Sequence, residues 1–174
     1  MSAIPYDLAK IKAVIFDMDG VLSANVVPMD ADGMPVRTIG IKDGYALHLA
    51  VKTGLEVAVI SGGIYEPVRR RLERMGLQHV YLGAFRKTEV LESYLKEVGL
   101  DASEVAYMGD DIPDYEVMLR VGLPCCPADA SPEIKAISKY VSPFRGGEGC
   151  GRDLLEQILK RKGIWRKAPE AFVW

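Results

Sequence analysis

The chain is poor in cysteine, with Cys125, Cys126 and Cys150 the only three among 174 residues. An odd number that includes an adjacent pair fits neither a disulfide framework nor the spacing of a zinc site, so buried free thiols are expected. A basic surplus is missing too: 22 Lys and Arg stand against 24 Asp and Glu, for a net charge of -2. That balance argues against an electrostatic nucleic-acid binder, and no nucleic-acid partner is expected. The one basic cluster, Arg69, Arg70, Arg71 and Arg74, would point in several directions on a helix, leaving most of it solvated. No apolar run approaches the roughly 18 residues of a membrane span, and the mean hydropathy is +0.06, so no membrane partner is expected. Residues 1–12 alternate polar and apolar positions, with Asp7 and Lys10 among them, and lack the apolar core of a signal peptide. A cytoplasmic protein is expected. Repeats and low-complexity segments are absent, so the whole chain, 1–174, is read as a single domain. A globule of this size buries roughly 70% of its unfolded surface.

What is present is an alternation of short apolar runs with helical patterns. Ala13 to Phe16 runs straight into Asp17, Met18, Asp19 and Gly20, which reads as a strand buried on both faces and ending in two carboxylates. Two short extended pieces, 24–29 and 35–41, flank the turn residues Asp30-Ala-Asp-Gly33 and predict a β-hairpin flap over about 24–41. Asp43 is placed to cap a helix over 44–53 that stops at Gly54. A strand at 55–60 ends in Ser61-Gly62-Gly63, and Pro67 opens a helix over 65–75 with Gly76 as its stop. A strand at 78–82 follows, then Lys87 at the head of a helix over 88–98, where a cation is slightly unfavourable and calls for an anion nearby. A strand at 104–108 leads into Gly109-Asp-Asp-Ile-Pro-Asp114 and a helix to about 121. Residues 123–126 and 140–141 are brief strands, Ser131-Pro-Glu133 starts a helix between them, and a last helix covers 152–162. Glycines at 146–151 lack the preceding strand of a dinucleotide fingerprint. The tail 164–174 carries Trp165, Phe172 and Trp174, which implies docking on its own domain or on a partner. The pattern defines an α/β fold, a Rossmann-like parallel sheet with helices on both faces.

In such a sheet ligands bind outside the carboxyl ends of the strands. Those ends supply Asp17 and Asp19, then Ser61, then Lys87, then Asp110, Asp111 and Asp114. Carboxylates with no His or Cys beside them suit a hard cation such as Mg²⁺, with Asp17 and Asp110 as ligands. One carboxylate can attack phosphorus, and Asp19 is spaced to protonate the leaving oxygen and then to deprotonate water. Ser61 and the amides of Gly62 and Gly20 can hold phosphate oxygens, while Lys87 balances their charge.

At this point the chain resembles the haloacid dehalogenase superfamily of phosphatases, through Phe16-Asp-Met-Asp-Gly-Val21, Ile60-Ser61, Lys87 and Gly109-Asp-Asp-x-x-Asp114. The resemblance implies Asp17 as nucleophile, Asp19 as acid and base, and Ser61 and Lys87 on the phosphoryl group. It places Mg²⁺ on Asp17, the carbonyl of Asp19 and Asp110, with Asp114 and Asp111 around them. The short interval from Asp17 to Ser61 leaves no room for an inserted cap domain. A closer resemblance covers nearly the whole chain: Ile41-Lys-Asp-Gly-Tyr45, Val68-Arg-Arg-Arg71, Val105-Ala-Tyr-Met-Gly-Asp-Asp111 and Gly146-Gly-x-Gly149 look like the capless 3-deoxy-D-manno-octulosonate 8-phosphate (KDO 8-phosphate) phosphatases. That family implies a role in lipopolysaccharide synthesis, a homotetramer whose hairpins and neighbouring subunits serve as a cap, and a sugar acid phosphate as substrate. An Arg fork suits the substrate's carboxylate, with Arg71 first and Lys42 second. The chain departs from the family pattern at Ser61, where Thr is commoner, at Gly63, where a larger polar residue is commoner, and in its tail. A phosphatase of a nine-carbon keto-deoxy sugar acid phosphate, or of another small phosphosugar, remains an alternative. A phosphorylated receiver domain is a more distant one, disfavoured because Lys87 precedes Asp110 in the chain.

Overall fold

The apolar runs become the strands of one sheet. A computed structural model describes residues 4–173. In it β1 (Ala13–Phe16), β2 (Glu56–Ser61), β3 (His79–Leu82), β4 (Val105–Met108), β5 (Leu123–Cys126) and β6 (Tyr140–Val141) pair in the order β3-β2-β1-β4-β5-β6. Every pairing is parallel. The helices are α1 (Ile41–Lys52), α2 (Glu66–Arg74), α3 (Lys87–Val98), α4 (Tyr115–Met118), α5 (Pro132–Ile137) and α6 (Cys150–Arg161). No helix among the described residues is long and apolar enough to cross a membrane.

A continuous apolar run is what a strand covered on both faces requires, and alternate residues divide between two cores. Val14 and Phe16 of β1 and Ala106 and Met108 of β4 join a cluster filled by Leu47 of α1, Leu72 of α2 and Leu154 of α6. Ala13 and Ile15, with Val105 and Tyr107, join the other, filled by Leu91 of α3, Val117 of α4 and Ile134 of α5. Cys125, Cys126 and Cys150 are buried free thiols, as expected from their number and spacing. Because β1 lies between β2 and β4, successive strands depart from it in opposite directions. That switch opens a crevice at the carboxyl ends of β1 and β4, where ligands bind in open α/β sheets.

Several expectations need correction. Asp43 does not cap its own helix: α1 begins at Ile41 behind Gly40, and Asp43 lies buried in its first turn. Its Oδ1 accepts the backbone N–H of Arg152 at 2.6 Å, so it caps α6 instead. Gly151 permits this close approach, since a Cβ there would lie 3.1 Å from Asp43 Oδ1. The helix after Gly109 is shorter than expected, a 3₁₀ turn over Ile112–Asp114 followed by α4, which ends at Met118. The flap over 24–41 forms as a hairpin with a single antiparallel bridge, Met29 to Pro35, rather than as two strands. Asp30 Oδ1 accepts from Asp32 N and Met34 N to set the turn. Pro28 and Pro35 have no amide to donate, which keeps the ladder from extending.

The tail docks on its own domain. Trp165 is buried, edge-on to Tyr45 of α1 at 5.9 Å and 4.6 Å from the Arg152 guanidinium of α6. Phe172 is exposed, and Trp174 lies outside the described residues.

Replacing Asp43 by Ala leaves the partly buried N–H of Arg152 without its acceptor, and is expected to destabilise the fold by about 1–2 kcal/mol in chemical denaturation. Asp43→Asn keeps a carbonyl oxygen for that N–H and should recover most of the loss. Equal stability of the Ala variant and the parent would refute the cap.

Candidate active site

The site begins where β1 stops. The Asp17 amide donates to the Met108 carbonyl at 2.9 Å, carrying the β1–β4 ladder one residue beyond the strand and aiming Asp17 into the crevice. Asp17 is buried, and its Oδ1 accepts the amide of Met18 at 2.6 Å. Its Oδ2 lies 2.9 Å from Lys87 Nζ. Lys87, the first residue of α3, is buried as well and reaches Asp114 Oδ1 at 2.7 Å. These two carboxylates are the anions that a cation at a helix start calls for.

Asp114 is the most enclosed member of the group, about 1% exposed. Its Oδ1 also accepts the hydroxyl of Tyr107, and its Oδ2 accepts the amide of Asp110. Three donors therefore occupy most of its acceptor sites, which orients Asp110 and leaves Asp114 in a supporting position. Oxygens of Asp17, Asp110 and Asp114 lie within 4.8 Å of one another. Burial, and next the charge of Asp114, push the carboxyl of Asp17 far above the usual carboxylate range. Burial with Asp114 and Asp111 raises Asp110 to about 7. Burial opposes the charge of Lys87, yet Asp17 and Asp114 outweigh it and hold the ammonium above its ordinary value. Three carboxylates face one ammonium, so the cluster lacks positive charge, and its all-oxygen donor set fits a divalent hard cation.

Gly20 has φ of +79°, and a Cβ on it would fall 2.0 Å from Asp110 Oδ2. Only glycine lets Asp110 lie against the β1 loop. Ser61 closes β2, and its Oγ accepts the amide of Gly63 at 3.2 Å. A cleft of about 630 Å³ collects Asp17, Asp19, Gly20, Ser61, Gly62, Lys87, Asp110, Asp111 and Asp114, with Asn25 and Val27 of the flap on its rim. A wider neighbouring groove of about 1010 Å³ shares Phe85, Lys87 and Pro113 with it but none of the aspartates, so the chemistry belongs to the smaller cleft. Arg71 and Lys42 do not line the cleft; both are exposed, on α2 and α1.

Three participants escape a reading of the sequence. Tyr107 sits in the otherwise aliphatic β4, and its only signal is a hydroxyl in a buried run. Asp129 accepts Asn25 Nδ2 at 2.8 Å and the amide of Gly146 at 2.9 Å, tying the flap's base to the glycine-rich loop. Arg37, from the flap, grips Asp19 with Nε on Oδ1 at 2.7 Å and Nη2 on Oδ2 at 2.8 Å.

Comparison with known proteins identifies the family. Residues 75–150 match the family model of the haloacid dehalogenase-like hydrolases. The 3-deoxy-D-manno-octulosonate 8-phosphate phosphatase KdsC of Escherichia coli (strain K12) is 33% identical over 153 residues, covering 88% of this chain and 81% of the relative. Among solved structures, a probable YrbI family phosphatase from Pseudomonas syringae superposes with a TM-score of 0.89 at 34% identity, over 95% of this chain and 97% of the other. The 3-deoxy-D-manno-octulosonate 8-phosphate phosphatase of Moraxella catarrhalis, in complex with a magnesium ion, a phosphate ion and KDO, gives 0.86 at 28% identity, over 91% of each chain. This chain belongs to the haloacid dehalogenase-like hydrolases, in the family of the KDO 8-phosphate phosphatases.

Without divalent cations, a carboxyl whose pKa is higher folded than unfolded weakens the fold as pH rises between the two values. For Asp110 that window runs from the ordinary carboxylate value of 3.8 to about 7. Asp110→Asn should therefore melt higher than the parent in a chelator at pH 8, with the advantage shrinking toward pH 5. A constant difference across that range would contradict the crowding. Gly20→Ala should abolish stabilisation by added Mg²⁺ in the same melts, and normal stabilisation would contradict the placement of Asp110.

Proposed function

We propose that the chain is a Mg²⁺-dependent phosphatase that hydrolyses KDO 8-phosphate to KDO and phosphate through a phosphorylated Asp17. The observation that carries the reaction is the convergence of Asp17, Asp110 and Asp114 at the switch point of the sheet, with the buried Lys87 paired to Asp17 and Asp114. The sugar rests on the relatives, including one that holds magnesium, phosphate and KDO together.

In this reading a carboxylate oxygen of Asp17 attacks phosphorus as the bond to the sugar oxygen breaks, and Asp19 gives that oxygen its proton. Water, losing a proton to Asp19, then attacks the same phosphorus and frees Asp17. Lys87 remains paired with Asp17 and Asp114 and offsets phosphate charge, while Ser61 and the amides of Gly62 and Gly20 take phosphate oxygens. Asp17, Asp110 and the Asp19 carbonyl would hold Mg²⁺, which when bound would offset the repulsion between carboxylate and phosphate. Asp114 orients the amide of Asp110 and the ammonium of Lys87, and Asp111 borders the cleft.

The chain is read as one domain, acting in the cytoplasm in lipopolysaccharide synthesis as a homotetramer. Arg71 and Lys42 are exposed and lie off their own cleft, so they would meet the substrate carboxylate from a neighbouring subunit.

Phosphate release from a panel of sugar acid phosphates, with and without Mg²⁺, tests the function. KDO 8-phosphate should be preferred and turnover should require the metal. Equal turnover of eight- and nine-carbon substrates would overturn the specific sugar. Asp17→Asn should lose roughly 10⁴-fold or more in turnover while remaining folded, and retained activity would overturn the nucleophile.

A further inference from the structure

Arg37 comes from the flap, 18 residues beyond Asp19, and takes both oxygens of that carboxylate in a planar fork. The guanidinium is enclosed and its partner is not: the Arg37 side chain is 7% exposed, that of Asp19 48%. Three features hold the arginine in place. Its guanidinium carbon sits 5.5 Å from the centre of the Tyr65 ring. The next residue of the flap, Thr38, donates its amide to Ser23 Oγ at 3.0 Å, while Ser23 bridges back to Asp19. Gly63 supplies the space, because a Cβ there would lie 2.4 Å from Arg37 Nη2 and 3.1 Å from its Cζ.

The guanidinium occupies the room that a side chain at Gly63 would fill. The remaining nitrogen, Nη1, is buried without an acceptor among the described residues. The side chain is thus placed for Asp19 rather than for its own full set of hydrogen bonds.

We infer that Arg37 is a positioning residue that fixes the orientation of the Asp19 carboxylate from the flap, with Gly63 as its seat. A half-exposed aspartate otherwise rotates freely, and a proton donor misplaced by about 1 Å can cost 10²-fold in rate. A two-point fork sets the plane of the carboxylate as well as its place, which a lysine ammonium cannot do. The carboxylate keeps lone pairs that the fork does not use, so the held group can still exchange a proton with the leaving oxygen or with water. The inference rests on the phosphatase reading above.

Its test is the first chemical step, followed as leaving-group release in single turnover with Mg²⁺ present. Two substrates are compared: KDO 8-phosphate, whose alkoxide needs a proton, and p-nitrophenyl phosphate, whose phenolate leaves without one. Arg37→Met should slow release from the sugar phosphate by about 10- to 100-fold and from p-nitrophenyl phosphate by less than about 3-fold. Arg37→Lys should fall between Arg37→Met and the parent. Gly63→Ala keeps the arginine but crowds its Nη2, with a milder contact at 3.3 Å to Asp19 Oδ2, and should shift the ratio of the two rates in the same direction; it also serves if Arg37→Met fails to fold. Equal slowing on both substrates, or an unchanged ratio in folded Arg37→Met or Gly63→Ala, would overturn the inference. A parent enzyme that hydrolyses neither substrate would instead overturn the phosphatase reading, so the two failures are distinct.

Discussion

A buried ammonium between two buried carboxylates holds this site together. Asp17, Asp110 and Asp114 are drawn to one edge of the sheet by the ends of β1 and β4, and burial together with the neighbouring Asp114 charge disfavours the charged forms of Asp17 and Asp110. Lys87 answers that repulsion from the head of α3, at 2.9 Å from Asp17 and 2.7 Å from Asp114. An ion pair taken out of water lasts only where further hydrogen bonds complete it. Here Tyr107 and the amide of Asp110 complete Asp114, and the amide of Met18 completes Asp17. The residual negative charge leaves the cleft receptive to a cation, and with a cation in place it becomes receptive to phosphate.

The rest of the architecture serves that cluster. A parallel sheet covered on both faces is rigid, and its switch point gathers side chains from strands far apart in the chain, here β1, β2 and β4, with α3 following β3. The less regular parts complete it. The flap contributes Arg37 and part of the cleft's rim, Asp129 fastens its base to the loop ahead of α6, and Asp43 fixes α6 to α1 behind it.

Much of this was legible in the sequence, because strands buried on both faces leave continuous apolar runs and the residues after them stand at the carboxyl edge. Asp17, Ser61, Lys87 and Asp110 could be placed from that rule alone, and the structure brings them to one cleft. The illegible parts share one physical cause, a partner fixed by tertiary packing rather than by local pattern. Asp43 looks like the cap of the nearest helix, yet the N–H it accepts lies 109 residues away. Arg37 sits in a segment without periodicity, and its pairing with Asp19 depends on the path of a one-bridge hairpin and on the space at Gly63. Tyr107 reads as a core residue, which it is, and only its hydroxyl reveals the second role.

Asp17 is the group proposed to take the phosphoryl. Rapid acid quench of the enzyme mixed with phosphorus-32-labelled KDO 8-phosphate and Mg²⁺, followed by peptide mapping, tests this most directly. The expected result is an acid-stable, alkali-labile label on the peptide that carries Asp17, formed and lost at rates consistent with turnover. Turnover without any covalent label, or a label on another residue, would contradict it.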